Sequence, residues 1–286
     1  MAANIDEAKQ TYYDAEVKSA YQKEGLLNGK TREKTAVPGK ECQFRVASSA
    51  AARAHVPHQR VVGINGKVNA VTCPIAAYEA FDYVDKFDPK TVNFDELKEL
   101  AQICGKAMGV KKDQIKIDAM AAGLDETNML VGSTSNAMSL AYLKDARYKL
   151  DKNDVPFTDR YLVYHPYMLR GLLDESQFTS SDFMEKKQLA AIDAGEGSIA
   201  LGFNFIMFAD KTGGGLPKSG SGSSTSVRAF AWHKDAVGFA SQQDITTEIT
   251  FLPDTREWLV GGDFNAGAVV IDDRGVVGID CKIGTN

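Results

Sequence analysis

Residues 41–75 constrain the fold of this chain most, because they look extended and contain too few apolar residues to bury themselves. The stretch, ECQFRVASSAAARAHVPHQRVVGINGKVNAVTCPI, is broken twice by proline. Its Asn65-Gly66 pair predicts a tight hairpin turn. A two-stranded hairpin alone is marginally stable in water. We therefore predict a hairpin that projects from the body of the protein and is ordered by a partner surface.

Residues 3–30 form a polar segment with a loose helical stripe of apolar residues. This pattern predicts a weakly amphipathic arm that packs either on the rest of the chain or on another molecule. The stripe consists of Ile5, Tyr12, Val17, Tyr21 and Leu26.

Residues 93–122 carry the clearest helical pattern. Asn93 and Glu96 have the spacing of a capping box. Gly105 and Gly109 each weaken the helix by roughly 1 kcal/mol relative to alanine, and a continuous helix would be about 40 Å long. The apolar stripe consists of Leu97, Leu100, Ala101, Cys104, Ala107, Met108, Ile115, Ala119 and Ala122.

The remaining elements alternate irregularly between helix and strand, which predicts an α+β fold rather than a doubly wound sheet. Helices are predicted at 135–150, ended by the Asn-Asp-Val-Pro stretch, at 167–175 just after Pro166, and at 232–244. Strands are predicted at 160–166, 197–210, 245–252, 257–272 and 275–283.

Composition excludes several classes of protein. The 286 residues, 44% hydrophobic and 25% charged, suffice for a sizeable core. A net charge of −5 argues against a broad basic face that grips nucleic acid. No apolar run is long enough to span a membrane, and no secretory signal is present at the N-terminus. The four cysteines lack the spacing of a metal knuckle, so a reducing compartment is the simplest interpretation: Cys42, Cys73, Cys104 and Cys281.

The stretch TGGGLPKS at 212–219 resembles the end of a phosphate-binding loop. That motif requires glycine at the positions held by Thr212 and Pro217, and Pro217 has no N–H to offer a phosphate. The Gly/Ser-rich sequence that follows cannot open a helix. We therefore predict a flexible surface loop and no nucleotide site.

The histidines do not assemble a recognisable catalytic or metal site. Pro57 rules out a helix that would align His55 with His58, so no metal site is predicted. His165 follows a predicted strand and is a candidate base, but no serine or cysteine lies in a nucleophile elbow. We predict no catalytic residue and no cofactor.

Five stretches, taken in order, resemble the major capsid proteins of tailed bacteriophages, which have the Hong Kong 97 fold, and the short-tailed phages most closely. Each stretch alone is weak, but their shared order is specific and covers most of residues 15–283. They are PGKECQFRVASSAAARAHVP, VNAVTCPIAAYEAFDYVDKFDPKTVNFDELKELAQICGKAM, LKDARYKLDKNDVPFTDRYLVYHPYMLRGLLDE, GEGSIALGFNFIMF and EWLVGGDFNAGAVVIDDRGVVGIDC.

The resemblance implies a shell subunit with four parts. They are an N-terminal arm at 1–35, an extended loop at 36–75, a peripheral domain with a spine helix at 76–121 and 244–256, and an axial domain at 122–243 and 257–286.

The resemblance also implies two groups of functional residues. Extended-loop residues would contact neighbouring subunits: Gln43, Phe44, Arg45 and Arg53. A loop near the capsomer centre would be a mobile tip that fits both five-fold and six-fold neighbours: Gly213, Gly214, Gly215, Pro217 and Lys218. Arg45 stands where relatives often have proline. Lys40 and Lys67 lie in or near the loop, but no matching Asn motif is present, so we predict no covalent cross-link.

The implied function is self-assembly into hexamers and pentamers of an icosahedral shell around double-stranded DNA. Portal and scaffolding proteins would be partners, DNA a non-specific neighbour, and assembly would take place in the bacterial host cytoplasm. Two other functions remain open: an encapsulin-like nanocompartment that holds enzymes, and a soluble hydrolase that uses His165.

Overall fold

Three α-helices and thirteen strands occupy the residues that the computed structural model describes: 25–48, 66–85, 96–173, 196–220, 225–283 and scattered positions between 50 and 63. The α+β class is thereby confirmed. The helices are α1 (Glu96–Ala122), α2 (Leu140–Lys152) and α3 (Pro166–Leu173). The strands are β1 (Arg32–Lys34), β2 (Glu41–Ala47), β3 (Val68–Pro74), β4 (Ala76–Asp85), β5 (Leu130–Ser133), β6 (Arg160–Tyr164), β7 (Glu196–Ala200), β8 (Phe203–Met207), β9 (Lys218–Ser219), β10 (Ser226–His233), β11 (Val237–Leu252), β12 (Glu257–Val270) and β13 (Val276–Lys282).

Helix α1 packs on a four-stranded sheet with the order β1-β11-β12-β4. Its 27 residues run without interruption through both glycines, so the helix is about 40 Å long, as predicted. Met108 and Ile115 meet Phe239 and Phe264 from the sheet, and Tyr78 stacks on Phe264 with ring centroids 5.3 Å apart. This apolar layer fixes the helix across the strands.

Burial along α1 is shifted towards its C-terminal half relative to the predicted stripe. Leu97, Leu100 and Ala101 are only half-buried, whereas Ile117 and Met120 are fully buried. Ala107 and Ala122 are exposed. The predicted cap Asn93 lies outside the described residues.

The helix predicted at 232–244 is wrong. One turn of 3₁₀ helix, Lys234–Ala236, separates β10 from β11 there. The His233 ring accepts a hydrogen bond from the Asp235 amide and closes this turn. Strand β11 then pairs with β12 on one side and with β1 on the other, and these ladders override the weak local helical preference.

The second sheet runs in the order β5-β13-β10-β6-β8-β7, with β9 beside β10. Its core includes the fully buried Trp232 and is covered by α2 and α3. Helix α2 begins at Leu140 after Ser139, five residues later than predicted. The segment predicted as one strand at 197–210 is two, β7 and β8, joined at Leu201-Gly202, both with positive φ.

Two 3₁₀ turns lie side by side where the chain passes between the sheets. One is Lys234–Ala236, and the other is Asp273–Gly275, between β12 and β13. The Ala236 carbonyl accepts from the Ile271 amide at 2.7 Å. Both β11 and β12 lie wholly in the sheet that carries α1, so residues 237–270 accompany that helix, a longer segment than 244–256. The division into peripheral and axial domains stays a prediction.

None of the helices in the described part of the chain combines the length and the apolar character that a membrane span requires.

We expect the change Gly105→Ala to raise the free energy of unfolding by about 1 kcal/mol, because a Cβ there meets no atom within 4 Å and alanine is the better helix former. The change Gly262→Ala is the matched control. Its Cβ would lie 2.0 Å from the Thr246 carbonyl oxygen, so the variant should be less stable than the native chain. Chemical denaturation of unassembled subunits measures both. Equal losses of stability would contradict an unstrained helix at residue 105.

Candidate functional site

Strands β2 and β3 form the predicted antiparallel hairpin, but its turn does not lie at Asn65-Gly66. Glu41 pairs with Pro74 and Ala47 with Val68, and the Ser48 amide donates to the Lys67 carbonyl at 2.8 Å. This register places the turn halfway between the strands, near Pro57-His58, where the described residues form a turn and His58 has φ 62°. The two strands are therefore related about a midpoint near residue 57 rather than about Asn65-Gly66.

The inner face at the base of the hairpin packs on its own chain. Cys42, Phe44 and Cys73 form a cluster with Ala240 and Ile271. The Phe44 ring lies directly over Gly238 of β11, where an added Cβ would approach it to 2.8 Å. The ammonium group of Lys34 lies 4.8 Å from the centre of the same ring.

The four residues predicted to contact other subunits therefore differ in their exposure. Phe44 is fully buried within its own chain, so its side chain is an intrachain anchor and not an intersubunit contact. Gln43 and Arg45 are exposed on the opposite face. The Arg45 guanidinium makes no ion pair with any residue that the structure describes, and Arg53 lies outside the described residues. An interface role for Gln43 and Arg45 stays a prediction.

A second element is the segment that leads into β1, which is held on α1 by a buried carboxylate. Asp113 is fully buried and accepts hydrogen bonds from the Leu26 and Leu27 amides, both at 3.0 Å. Leu27 is itself fully buried. On the other side, the Trp232 indole donates to the Lys30 carbonyl at 2.9 Å. The rest of the predicted arm, 1–24, lies outside the described residues.

Lys116, one turn further along α1, holds the same segment with its ammonium group. The group is fully buried and donates to the Leu27 carbonyl at 3.0 Å and to the Glu33 carboxylate at 2.9 Å. It also lies 4.4 Å from the centre of the Phe239 ring. The residues Leu26–Glu33 are thus tied to both α1 and β11; we name this contact the arm clamp.

Burial governs the ionisation of the arm clamp. Desolvation raises the pKa of Asp113, although the two amide donors and Lys116 oppose it. Desolvation also lowers the pKa of Lys116, against the hydrogen bond and charge of Glu33. Partial burial works against the charge of Glu33, but its hydrogen bond and ion pair with Lys116 prevail, so its pKa is lowered.

Sequence reasoning missed Asp113 and Lys116. A signal was present, since both lie on a helical stripe between Gly109 and Met120, two positions that are buried. A charged pair on the buried stripe of a helix indicates a polar partner segment.

The glycine-rich loop lies against α1. Gly214 is so close to the helix that an added Cβ would lie 3.0 Å from Val110, and the Gly215 amide donates to the Gln114 side chain at 2.8 Å. Gly213 forms the turn, with φ 78°. Leu216 is buried. The glycines therefore allow close approach to the helix. The mobility of this loop and its position near the capsomer centre stay predictions.

Asp210 joins this loop to α3. Its carboxylate accepts from Lys218 at 2.6 Å and lies 3.2 Å from Nε2 of His165. Partial burial opposes its charge, but the hydrogen bonds with Lys218 and His165 prevail and lower its pKa. The other ring nitrogen of His165 accepts from the Tyr167 amide at the start of α3, so the histidine has a structural role. Pro217 continues the loop into β9.

Within the described ranges, no group of three His, Cys, Asp or Glu side chains is placed to hold a metal ion.

Comparisons with known proteins give one consistent result. The family model described as "Phage capsid protein" matches residues 5–283. Among solved structures, the capsid of the cyanophage P-SCSP1u aligns with a TM-score of 0.75 at 15% identity, covering 98% of this chain and 94% of that one. The capsid of Ralstonia phage GP4 aligns at 0.74 and 15% identity, covering 100% and 98%. The head of Helicobacter pylori bacteriophage KHP40 aligns at 0.72 and 13% identity, covering 94% of each chain.

At these identities the structures show the fold alone, and no curated protein matches the sequence significantly.

We expect the change Lys116→Met to destabilise the subunit by about 3–5 kcal/mol, because it leaves the buried Asp113 carboxylate without its cation and Glu33 without its partner. The change Lys112→Met is the matched control on the same helix. Its ion pair is with Asp244, whose side chain is 81% exposed, so we expect a loss of less than about 1 kcal/mol. Urea denaturation compares the two, and equal losses would contradict the arm clamp.

Proposed function

Because the chain belongs to the phage capsid protein family, we propose that it is the major capsid protein of a tailed phage and self-assembles through hexamers and pentamers into an icosahedral shell around double-stranded DNA. The observation that carries the proposal is the family match over residues 5–283 together with a capsid fold over the whole chain. A particular relation to the short-tailed phages stays a prediction.

The hairpin of β2 and β3 supports intersubunit contacts. It is a sheet of only two strands, and its outer face, with Gln43 and Arg45, is exposed. A hairpin of this kind gains order from a neighbour, and in a closed shell many identical neighbours supply the same contact. We assign this surface to the extended loop that reaches an adjacent subunit.

The arm clamp supports a complementary role for residues 1–24. Because Leu26–Glu33 is fixed on α1, the residues that precede it start from a defined point on the subunit. We assign them to contacts with neighbouring subunits. Portal and scaffolding proteins are further proposed partners, DNA is a non-specific neighbour, and assembly takes place in the host cytoplasm.

The alternatives receive less support. The family match favours a phage shell over an encapsulin-like nanocompartment. The family and fold are those of a structural protein, and His165 is engaged by Asp210 and the start of α3 rather than by a nucleophile. A hydrolase is therefore not favoured.

The proposed function is tested by assembly of the purified full chain. We expect closed shells in electron micrographs and a mass far above 31 kDa by light scattering, either alone or with a scaffolding protein supplied. A subunit that stays monomeric in every salt and scaffold condition would refute the proposal.

Removal of residues 2–24 should separate folding from assembly. This truncation keeps Leu27 and Lys30, which contact α1 and Trp232, so we expect a folded subunit with a near-native unfolding transition that fails to form shells. Removal of residues 2–30 is the matched control, and it should lose stability as well because it deletes the buried Leu27. Normal shells from the shorter truncation would contradict the assignment of the arm.

A further inference from the structure

Two of the four cysteines face each other across the base of the projecting hairpin. Cys42 in β2 and Cys73 in β3 are register partners, so both side chains point to the same, inner face. Both are free thiols, with 4% and 0% of their surface exposed. They belong to one apolar cluster with Phe44. The two cysteines are brought together by the hairpin register, so their spacing in the sequence does not indicate that they are neighbours.

The backbone hydrogen bonds of the hairpin show whether Cys42 and Cys73 form a hydrogen-bonded or a non-hydrogen-bonded pair of the ladder. The Ile75 amide donates to the Lys40 carbonyl at 2.9 Å, and the Ser48 amide donates to the Lys67 carbonyl at 2.8 Å. Hydrogen-bonded pairs alternate along an antiparallel ladder, so the Cys42–Cys73 pair is also of the hydrogen-bonded type, with an expected Cα separation of about 5.5 Å. Disulfides span Cα separations of about 4.4–6.8 Å, so the spacing of the strands is compatible with a bridge, and the Cβ atoms need to draw together only by about 1 Å.

The other two cysteines provide a built-in contrast. Cys104 lies on α1, where its thiol is 3.9 Å from the Val260 carbonyl. Cys281 lies in β13 beside the sulfur of Met138, at 3.3 Å. Both are buried in other parts of the fold, and neither has a cysteine as its register partner. Any oxidation that depends on pairing is therefore restricted to the hairpin.

We propose that Cys42 and Cys73 form a cross-strand disulfide that locks the base of the hairpin once the protein leaves a reducing compartment. With hydrogen peroxide as oxidant, one thiolate attacks a peroxide oxygen and becomes a sulfenic acid, releasing hydroxide, which takes up the proton lost by that thiol to give water. The second thiolate then attacks the sulfenic sulfur and releases hydroxide, which takes up a proton to give a second water. Two thiols are oxidised by two electrons in all, and one peroxide is reduced to two waters.

The surroundings of the pair make this oxidation slow. Burial, together with the neighbouring Cys42 thiol, raises the pKa of Cys73 to about 11, so little thiolate is present at neutral pH. A groove of about 590 Å³ lined by Val46, Val71 and Ile271 opens beside the same face, next to the apolar cluster that contains the pair. The pair thus stays reduced in a cytoplasm and oxidises on exposure outside the cell, where virion surfaces are oxidising. Only this timing rests on the proposed function.

The bond would act on the hairpin and leave the folded body unchanged. It closes the loop formed by residues 42–73, which contains every residue between the two strands. A covalent link at the base reduces the freedom of the opened hairpin and keeps β2 paired with β3 if Phe44 leaves its place over Gly238. We therefore expect oxidised particles to resist opening more than reduced ones.

The test uses the full chain, purified with reductant and then exposed to hydrogen peroxide over a range of pH. Free thiols are blocked under denaturing conditions, and unreduced digests are analysed by mass spectrometry. We expect a single linked pair, Cys42 with Cys73, with Cys104 and Cys281 recovered as thiols, and a rate that increases as the pH rises towards the pKa of Cys73. Oxidation should also raise the midpoint of thermal disruption by several degrees, reversibly on reduction.

Variants separate the bond from general effects of oxidation. The change Cys42→Ala should abolish both the linked peptide and the gain in the thermal midpoint, whereas the matched change Cys104→Ala should retain both. Two outcomes would overturn the proposal: both hairpin thiols surviving under conditions that fully oxidise the urea-unfolded chain, or Cys42 linked to Cys104 or Cys281. The linkage is read on the subunit whether or not shells form, so failure of assembly and failure of the disulfide are distinguishable.

Discussion

The buried ammonium group of Lys116 is the contact on which the order of the first described segment depends. It joins the spine-like helix α1, the Leu27 carbonyl, the Glu33 carboxylate and the ring of Phe239. A buried charge is costly unless it is paired and hydrogen-bonded. The Lys116 ammonium group therefore needs these partners in place in order to remain buried. The arm clamp therefore fixes the position of Leu26–Glu33 more than it stabilises the fold. Only one position of this segment satisfies the hydrogen bonds of both Asp113 and Lys116.

Close backbone approach provides the second constraint, and it governs where the hairpin sits. Gly238 leaves room for the Phe44 ring, and Gly267 of β12 lies so near the Pro74 carbonyl that a Cβ would come within 1.9 Å of the oxygen. Gly238 therefore lets β2 pack closely on the sheet, and Gly267 does the same for the end of β3. Both strands are seated on the four-stranded sheet at their base, while their outer face remains available.

The sequence was informative where local chemistry decides the structure. Helix α1 tolerated its two glycines because packing against Phe239 and Phe264 outweighs their cost. The start of α3 was predicted just after Pro166, within one residue of its observed start at Pro166. The hairpin turn was wrong because Asn65-Gly66 has the right turn chemistry but the register is set by the apolar partners Cys42, Phe44 and Cys73. A turn at Asn65-Gly66 would have placed His58 opposite Cys73, so the cysteine pair could not be seen from sequence.

Composition did not reveal the contacts that anchor two of the segments. Gly/Ser content indicated a flexible loop at 212–219, and sparse apolar content indicated a hairpin that is ordered by a partner surface. In both segments, however, a few residues anchor the chain: Gly214 and Gly215 against α1 in the first, Phe44 over Gly238 in the second. Composition reports the average of a segment, whereas anchoring depends on single contacts made at long range in sequence. In a subunit with many neighbours, contacts at the base fix where the hairpin starts. The adjacent subunit can then determine the path of the remaining residues.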